Sequence, residues 1–352
     1  MRKKCLLICP DSFKGSMSAA EAAGAMAAGS ADAEDFATVV MPVADGGAGT
    51  AALISRRLGG RAVQAETVDA LGRPIAATYY MYEEGGRRIA LIDSAAAVGL
   101  TLISPDERDI MRATSRGVGL LINDVARRGA DEILLGVGDT AVCDGGEGLA
   151  GVIGASLPPI TVLCDVDNPL CGPEGAARVF APQKGATPGQ VARLEDRLER
   201  MRADVMRRKG TDLQLIPGTG AGGGIGARLM AECGARLTRG IDMVLDAIGF
   251  DAALRQADLV LTGEGSIDSQ TLGGKAISGV LRRAAAAGKP VVAFGGRVEV
   301  SPELLTSFEA VVGITPGGMT GREAMQTATA QRNLRGAVRK YLVSRKGYFQ
   351  AM

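Results

Sequence analysis

Short runs of apolar, often β-branched residues alternate along this chain with longer segments of helical periodicity. The runs at residues 4–9, 37–41, 132–135, 161–164, 259–262, 291–294 and 310–314 predict strands that are covered on both faces. The segments at 19–29, 49–58, 114–128, 190–208, 225–233, 273–287 and 322–340 predict helices. Glycine-rich turns join several of these strands to the helices that follow. The alternation predicts the α/β class, with parallel sheets covered by helices.

Residues 62–82 depart from this alternation. Two extended runs flank the turn LGRP at residues 71–74 and predict an antiparallel hairpin, which could open a second domain. Strand–turn–helix signals return near residue 250 and continue to the end of the chain. We therefore expect a Rossmann-like domain with a parallel sheet, formed by residues 1–62 and 246–352. A second α/β domain, residues 63–245, would be inserted into it.

Composition narrows the possible chemistry. The chain has 352 residues, a net charge of +1 and no histidine. Without histidine, Ser-His-Asp hydrolysis, Cys-His proteolysis and HExxH metalloproteases are excluded, so proton transfer falls to Asp, Glu, Lys, Tyr or Cys. The near-zero charge argues against nucleic-acid and membrane partners, and no apolar run is long enough to span a bilayer. The six cysteines form no CxxC pair and the apolar run at residues 5–9 is too short for a signal peptide, so we expect reduced thiols and a cytoplasmic protein.

The loop after the first strand, PDSFKGS at residues 10–16, carries one carboxylate, one ammonium, two hydroxyls and a glycine. Ser18 and Glu21 then form the signature of a helix start. Loops from a strand to a helix N-terminus favour anions, because unpaired amides and the helix dipole point there. Asp11, Ser12, Lys14, Gly15 and Ser16 are therefore candidate anion-binding residues. An ordinary strand-to-helix turn with a surface lysine is an equally good interpretation.

Further loops also follow predicted strands. The turn VADGGAGT at residues 43–50 could approach a phosphate closely through its glycines, and its Asp45 could hold Mg²⁺ or accept a hydroxyl proton. The loop at residues 136–146 offers Asp139 and Asp144 for metal or hydroxyl binding. At residues 164–172, Asp165 and Asp167 could face the same side, although Asn168-Pro169 is also a common structural turn.

Two more segments bear on nucleotides. The loop at residues 262–275 includes Glu264, Asp268 and Lys275, a set that suits phosphoryl transfer, although it lacks the P-loop pattern because Ala276 follows Lys275. The glycine run at residues 218–226 superficially resembles a dinucleotide fingerprint. It lacks a convincing strand before it, so it is weak evidence for NAD and moderate evidence for a close approach to some phosphate or carboxylate. A lone lysine, Lys184, lies in another loop and is expected to be solvated.

Six segments in order resemble the serial signatures of the bacterial glycerate kinase type 1 family. They are PDSFKGS at 10–16, ADGG at 44–47, LGRP at 71–74, NPL at 168–170, PQKGA at 182–186, and TGEG at 262–265 continuing to Lys275. The resemblance runs from about residue 4 to about residue 318. It implies ATP-dependent phosphorylation of D-glycerate, usually to 2-phosphoglycerate, with Mg²⁺ as cofactor. It also implies an active site in the cleft between two α/β domains.

The resemblance and the loop chemistry together assign expected roles. We expect Lys14, Asp45 and Asp165 to be catalytic. The expected substrate-binding residues are Asp11, Ser12, Gly15, Ser16, Gly46, Gly47, Asp144 and Asn168. Those expected to bind ATP are Glu264, Asp268, Gln270 and Lys275, and those expected to bind Mg²⁺ are Asp165, Glu264 and Asp268.

One loop departs from the family pattern. The family usually has GGSATNDGG where this chain has GDTAVCDGG at residues 138–146, and the segment at 154–161 is shorter than expected. A kinase for a related sugar acid therefore stays open, as does a catalytically impaired kinase homologue. The sequence also leaves open a nicotinamide-dependent oxidoreductase and a ligand-sensing protein without catalysis. The expected partner is a small hydroxy acid, with a homodimer possible.

Overall fold

The computed structural model describes residues 3–33, 35–268, 271, 276–299 and 301–344. Its strands are β1 (Lys4–Ile8), β2 (Phe36–Val40), β3 (Arg61–Val68), β4 (Pro74–Glu84), β5 (Arg87–Asp93), β6 (Glu132–Gly136), β7 (Ile160–Leu163), β8 (Arg236–Thr238), β9 (Leu259–Ile267), β10 (Val291–Val298) and β11 (Ala310–Gly313). Its helices are α1 (Ala19–Ser30), α2 (Thr50–Leu58), α3 (Ala95–Val98), α4 (Arg116–Arg127), α5 (Glu147–Ala150), α6 (Ala176–Phe180), α7 (Pro188–Lys209), α8 (Ile225–Cys233), α9 (Gly240–Ile248), α10 (Phe250–Gln256), α11 (Ala276–Ala286), α12 (Pro302–Ser307), α13 (Gly321–Ala324) and α14 (Thr327–Ser344).

The chain divides into two compact units. Unit 1 combines Met1–Ala44 with Val244–Met352, and unit 2 is Asp45–Met243. The expected first boundary, residue 62, therefore differs from the observed one. The reason is that α2 packs against β4 and β5, which places residues 45–62 with the inserted unit. The expected α/β class is confirmed, with parallel sheets in a mixed α/β architecture.

Unit 1 is built on a five-stranded parallel sheet in the order β11-β10-β9-β1-β2. Leu6, Ile8, Leu261 and Phe294 are almost fully buried in its core, as their apolar runs predict. α1 packs against α14. The helix start predicted from Ser18 is also present, because the Glu21 amide donates to Ser18 Oγ and the Ser18 amide donates to Glu21.

Unit 2 contains a six-stranded mixed sheet in the order β3-β4-β5-β6-β7-β8. The predicted hairpin is present as the antiparallel pair β3–β4, and β4–β5 is antiparallel as well. From β5 to β8 neighbouring strands are parallel, so their carboxyl ends meet at one edge of the sheet. β5 and β8 were not among the predicted strands. Within the described residues no helix is long and apolar enough to cross a bilayer.

Candidate functional site

In unit 1, the loop that follows β1 lies against β9. The Asp11 amide donates to the Gly263 carbonyl oxygen at 2.9 Å. A Cβ added at Gly265 would lie 3.3 Å from the Lys14 amide nitrogen, a tight contact, so the glycine allows the loop to approach β9 closely. Glu264 lies between these two glycines and is 7% exposed. The structure therefore brings the predicted anion-binding loop and Glu264 together.

Several polar groups of this loop are engaged within it. The Ser12 amide donates to Asp11 Oδ1 at 2.6 Å, and the Ser16 amide and hydroxyl both donate to the Phe13 carbonyl oxygen at 2.8 and 3.1 Å. The expectation that the Ser16 amide faces an anion is therefore wrong, because that amide closes a tight turn. Gly15 has a φ of +80° and Lys14 is exposed. This leaves the Lys14 ammonium as the principal cationic group that the loop presents.

The end of β9 holds the two predicted acidic ligands of unit 1. The Thr271 hydroxyl donates to Glu264 Oε1 at 2.8 Å and accepts from the Asp268 amide at 3.1 Å. Thr271 is fully buried, so it fixes both acidic residues from inside the loop. Gln270 and Lys275, the other residues predicted to bind nucleotide, lie outside the described residues.

In unit 2, the turn at residues 45–49 lies at the carboxyl ends of the parallel strands. The Gly49 and Ala51 amides donate to Asp93, the last residue of β5, at 2.8 and 3.0 Å. The Ala48 amide donates to Asp139 Oδ2 at 3.0 Å. Burial raises the pKa of Asp93 to about 7, and the nearby Asp139 charge adds to the effect. Two carboxylates thus hold the turn by its backbone.

The glycines of this turn are required by close packing. A Cβ at Gly46 would lie 2.8 Å from the Leu163 carbonyl oxygen, and Gly46 has a φ of +89°. Gly47 packs directly against the Asp139 carboxylate. Ends of β6 and β7 therefore approach the turn so closely that no side chain fits at either glycine. The same packing positions Asp45, whose Oδ1 accepts from the Gly47 amide at 3.3 Å.

Asp165 is the most unusual carboxylate of unit 2. It follows β7, is 8% exposed, and its Oδ2 accepts from the Ile241 amide at the start of α9 at 2.7 Å. Its Oδ1 is buried and has no hydrogen-bond partner in the described part of the chain. Burial, with a smaller contribution from the neighbouring Asp45 charge, raises the pKa of Asp165 to about 8. A buried carboxylate oxygen without a donor is costly, and such groups often mark functional sites.

Asp167 does not share the environment of Asp165. It is exposed and pairs with Arg239 at 3.4 Å. The expectation that the two carboxylates face one side is wrong, because β7 ends at Leu163 and strand alternation stops before Asp165.

Asp144 and Asn168 have structural partners. Asp144 Oδ2 accepts from the Ser115 amide and hydroxyl, both at 2.8 Å, and from the Gly148 amide at 3.1 Å. Its Oδ1 accepts from the Gly146 amide at 3.1 Å. The Asn168 side-chain amide donates to the Glu174 carbonyl oxygen at 2.8 Å. These contacts tie loops together, and the substrate-binding roles of both residues stay predictions.

Two sequence features have structural explanations. Lys184 is 5% exposed rather than solvated, and its ammonium donates to the Val142 carbonyl oxygen at 2.7 Å and to Thr140 at 3.3 Å. Burial lowers the pKa of Lys184. In the glycine run, Gly223 packs against the backbone of Val142 and Cys143. The segment before this run is a short 3₁₀ turn rather than a strand, so the dinucleotide interpretation has no structural support.

The sequence pointed to Asp139 as a metal- or hydroxyl-binding candidate, but it did not reveal two other residues that build the site: Asp93 and Thr271. Asp93 ends β5, a strand that was not predicted, so its position at the sheet edge could not be inferred. Asp139 has a φ of +58°, which is uncommon for a residue other than glycine and is not visible in the sequence. Thr271 acts through a side-chain bond to Glu264 seven residues away in a loop without periodicity. The one sequence signal available for these residues was an aspartate directly after an apolar run, which is present at Asp93.

Comparisons with known proteins agree with this architecture. The model of the glycerate kinase family matches residues 6–159 and 157–343. The glycerate kinase of Bacillus subtilis (strain 168) is 35% identical over 92% of this chain and 93% of its own length. The glycerate 2-kinase of Escherichia coli (strain K12) is 36% identical over 83% of this chain and 84% of its own length.

A solved structure is also similar. The crystal structure of a putative glycerate kinase 2 from Salmonella typhimurium LT2 superposes with a TM-score of 0.77 at 36% identity. The match covers 99% of this chain and all of that one. The sequence and structural matches span nearly the whole chain, including both units. The chain belongs to the glycerate kinase family and is an enzyme of the kinase class.

Proposed function

We propose that this protein is a cytoplasmic enzyme that phosphorylates D-glycerate with ATP and Mg²⁺, giving 2-phosphoglycerate. Its family membership and its similarity to glycerate kinases support the substrate. The structural observation that carries the proposal is the buried Asp165 Oδ1, which has no donor among the described residues and lies beside Asp45 at the carboxyl ends of β5 to β7. Ligands of open α/β sheets bind at that edge.

In this proposal Asp165 accepts the proton of the attacking glycerate hydroxyl. A carboxylate with an ordinary pKa is a weak base at neutral pH. A group with a pKa of about 8 is a stronger base in its ionised form, and it is this ionised fraction of Asp165 that accepts the hydroxyl proton. Its Oδ2 is held by the Ile241 amide, so Oδ1 is the oxygen available to the substrate. Asp45 orients the same hydroxyl and keeps the pKa of Asp165 high through its charge.

The residues of unit 1 then serve the anionic groups. Lys14 offsets the charge of a carboxylate or phosphate, with Asp11 and Gly15 shaping the loop that carries it. Glu264 and Asp268 supply oxygen ligands of the kind Mg²⁺ prefers, and Mg²⁺ needs only one or two carboxylates beside nucleotide phosphates. This fits the described residues, which include no cluster of three or more such ligands. The metal would neutralise charge on the phosphates.

Water exclusion completes the proposal. Exclusion of water from around the bound substrates would suppress wasteful hydrolysis of ATP.

The altered loop at residues 138–146 does not by itself favour another substrate. Cys143 is fully buried, and Thr140 is 3% exposed and accepts a hydrogen bond from Lys184. Thr140 and Cys143 therefore lie in the interior of the loop, where they change its packing, whereas Asp139 is partly exposed and accepts from the Ala48 amide. Glycerate remains the substrate that the relatives support best, and a panel of sugar acids tests whether a related acid is preferred.

The decisive experiment is phosphorus NMR of the product formed from D-glycerate, ATP and Mg²⁺. We expect 2-phosphoglycerate and stoichiometric ADP. Glycerate should be preferred over four-carbon sugar acids. Absence of ATP consumption with glycerate and with every sugar acid of the panel would refute the proposed activity.

Variants test the residue assignment. We expect Lys14→Ala, Asp45→Asn and Glu264→Gln each to lower kcat/KM at least 100-fold without unfolding the protein. Asp167→Asn is the matched control for Asp165→Asn, because Asp167 lies two residues away and is exposed. The control should keep activity within about twofold. Near-normal turnover in both Lys14→Ala and Asp45→Asn would show that the assignment is wrong.

One further measurement separates two roles for the Asp165 oxygen. If Asp165 accepts the proton, the pH profile of kcat should lose one ionisation in Asp165→Asn. The Mg²⁺ concentration that gives half-maximal rate should then be unchanged. If that concentration rises tenfold or more in Asp165→Asn, Asp165 binds the metal instead.

A further inference from the structure

A groove of about 710 Å³ lies in unit 2, separate from Asp45 and Asp165. One wall is α7, which contributes Arg193, Arg197 and Arg200. The opposite side is formed by Arg228 of α8 and by the loop that leads into α5. Four guanidinium groups thus face one concavity, and its volume lies in the range of metabolite-binding sites.

Two of the four arginines are fixed in place. Arg197 Nε donates to Glu147 at 3.0 Å. Arg228 Nε donates to the Gly145 carbonyl oxygen at 3.0 Å, and its aliphatic stem packs against Gly146. These contacts pre-organise the centre of the groove. Because both side chains are already ordered, they lose little conformational entropy when a ligand binds.

The other two arginines have no assigned partner. Arg193 and Arg200 are exposed, and neither makes a hydrogen bond or ion pair within the described parts of the chain. They lie seven residues apart on α7, which separates their Cα atoms by roughly 10 Å along the helix axis. Arg197 lies between them on the same helix face. The three side chains therefore form a row along one wall.

The carboxylates of the groove are mostly neutralised. Asp144 accepts four hydrogen bonds, and Glu147 pairs with Arg197. Asp204 pairs with Arg208 at 2.7 Å and with Arg207. Asp196 is the one lining carboxylate without a partner in the described residues. Arg228 also pairs with Glu232 at 3.4 Å. The four arginines and four carboxylates of the lining balance in formal charge, but two arginines and one carboxylate are unpaired in the part of the chain that the structure describes, so the unpaired groups leave one excess positive charge.

We propose that this groove binds a linear oligophosphate group, at a site that shares Asp144 with the predicted substrate-binding residues but includes none of the residues assigned to phosphoryl transfer. Guanidinium groups match phosphate oxygens through paired N–H donors and keep their charge at every physiological pH. A row of cations suits a chain of phosphates, which presents several anionic groups in line, better than it suits a single anion. This inference goes beyond the proposed function and does not depend on which hydroxy acid the enzyme phosphorylates.

Isothermal titration calorimetry with inorganic tripolyphosphate tests the site at low ionic strength and without Mg²⁺. We expect saturable binding to the wild-type protein, with orthophosphate at least tenfold weaker. The double variant Arg193→Ala/Arg200→Ala should weaken tripolyphosphate binding at least tenfold. Thermal melting checks that its fold is intact, as expected for two exposed side chains.

Two controls make the result specific. Arg322→Ala/Arg335→Ala removes the same charge from two exposed arginines of unit 1 and should change binding less than twofold. Lys14→Ala removes the cationic group assigned to anions in the proposed active site and should leave the groove's binding unchanged. The inference is overturned if wild-type protein does not bind tripolyphosphate. It is equally overturned if the groove variant binds normally or the active-site variant loses binding. None of these outcomes depends on whether glycerate is phosphorylated.

Discussion

Replacing Asp165 by Asn should stabilise the protein relative to wild type. This difference in the free energy of unfolding should grow as the pH rises. Asn keeps the oxygen that accepts from the Ile241 amide and removes the ionisable group. Burial, with a contribution from Asp45, raises the pKa of Asp165 from 3.8 to about 8. Between these values the unfolded chain is ionised while the folded protein keeps its proton. The folded state then binds more protons, so the free energy of unfolding falls as the pH rises.

The magnitude follows from the shift. About four pKa units at about 1.4 kcal/mol each give a ceiling of roughly 6 kcal/mol, reached above pH 8 and absent below pH 4. Local rearrangement and water penetration reduce such burial penalties in proteins, so we expect Asp165→Asn to gain ~2–4 kcal/mol over wild type between pH 4 and pH 9. Asp93 also titrates in this range but is present in both proteins, so its contribution cancels in the difference.

The assay is urea unfolding followed by circular dichroism at half-unit pH intervals, because the chain has no tryptophan to report by fluorescence. Asp167→Asn serves as the control and should follow the wild-type curve at every pH. Wild-type and Asp165→Asn curves that stay parallel from pH 4 to pH 9 would refute the reasoning. They would mean that Asp165 titrates normally in the folded protein and is not a suitable base.

Three other substitutions test the packing around the site. Gly46→Ala should cost at least 2 kcal/mol in urea unfolding because its φ is +89° and its Cβ would meet the Leu163 carbonyl oxygen. Gly59→Ala, where φ is +69° but space is open, should cost only about 1 kcal/mol, and equal costs would contradict the packing argument. Asp144→Asn should cost about 2–3 kcal/mol, since an amide cannot accept all four hydrogen bonds; an unchanged melting temperature would show that they contribute little. Lys184→Met should release the loop at residues 140–142, because it removes the hydrogen bonds to Thr140 and Val142. We expect KM for glycerate to rise at least fivefold in steady-state kinetics; an unchanged KM would show that Lys184 does not position this loop for the substrate.

Local patterns were sufficient to anticipate much of the fold. The apolar runs of β1, β9 and β10 are buried on both faces, so their sequence and their environment agree. The LGRP turn between two extended runs likewise predicted the β3–β4 hairpin. β8 was missed because three residues, one of them an arginine, carry no detectable periodicity. β5 was missed although it is largely buried, since its two leading arginines obscure the apolar run.

The candidate site was harder to anticipate because its contacts join distant residues. Asp144 accepts a hydrogen bond from the amide of Ser115, which lies 29 residues away in the sequence. Asp93 accepts one from the amide of Gly49, which lies 44 residues away. A glycine-rich turn in a sequence shows where backbone can approach closely, but not what approaches it. At Gly47 the neighbour is a carboxylate of the same chain, and at Gly223 it is a backbone segment. Only the three-dimensional arrangement distinguishes these cases from a phosphate site.

The division of unit 1 between the two chain ends has a consequence for biosynthesis. The Cys5 amide donates a hydrogen bond to Asp258, which lies 253 residues further along the chain. β1 therefore cannot pair with β9 until β9 has left the ribosome. At 5–20 residues per second this wait lasts roughly 10–50 s. The inserted unit is translated completely within that interval and can fold first. Until then β1 and β2 lack the other three strands of their sheet. Chaperones that shield nascent apolar segments would act on β1 and β2 during that time.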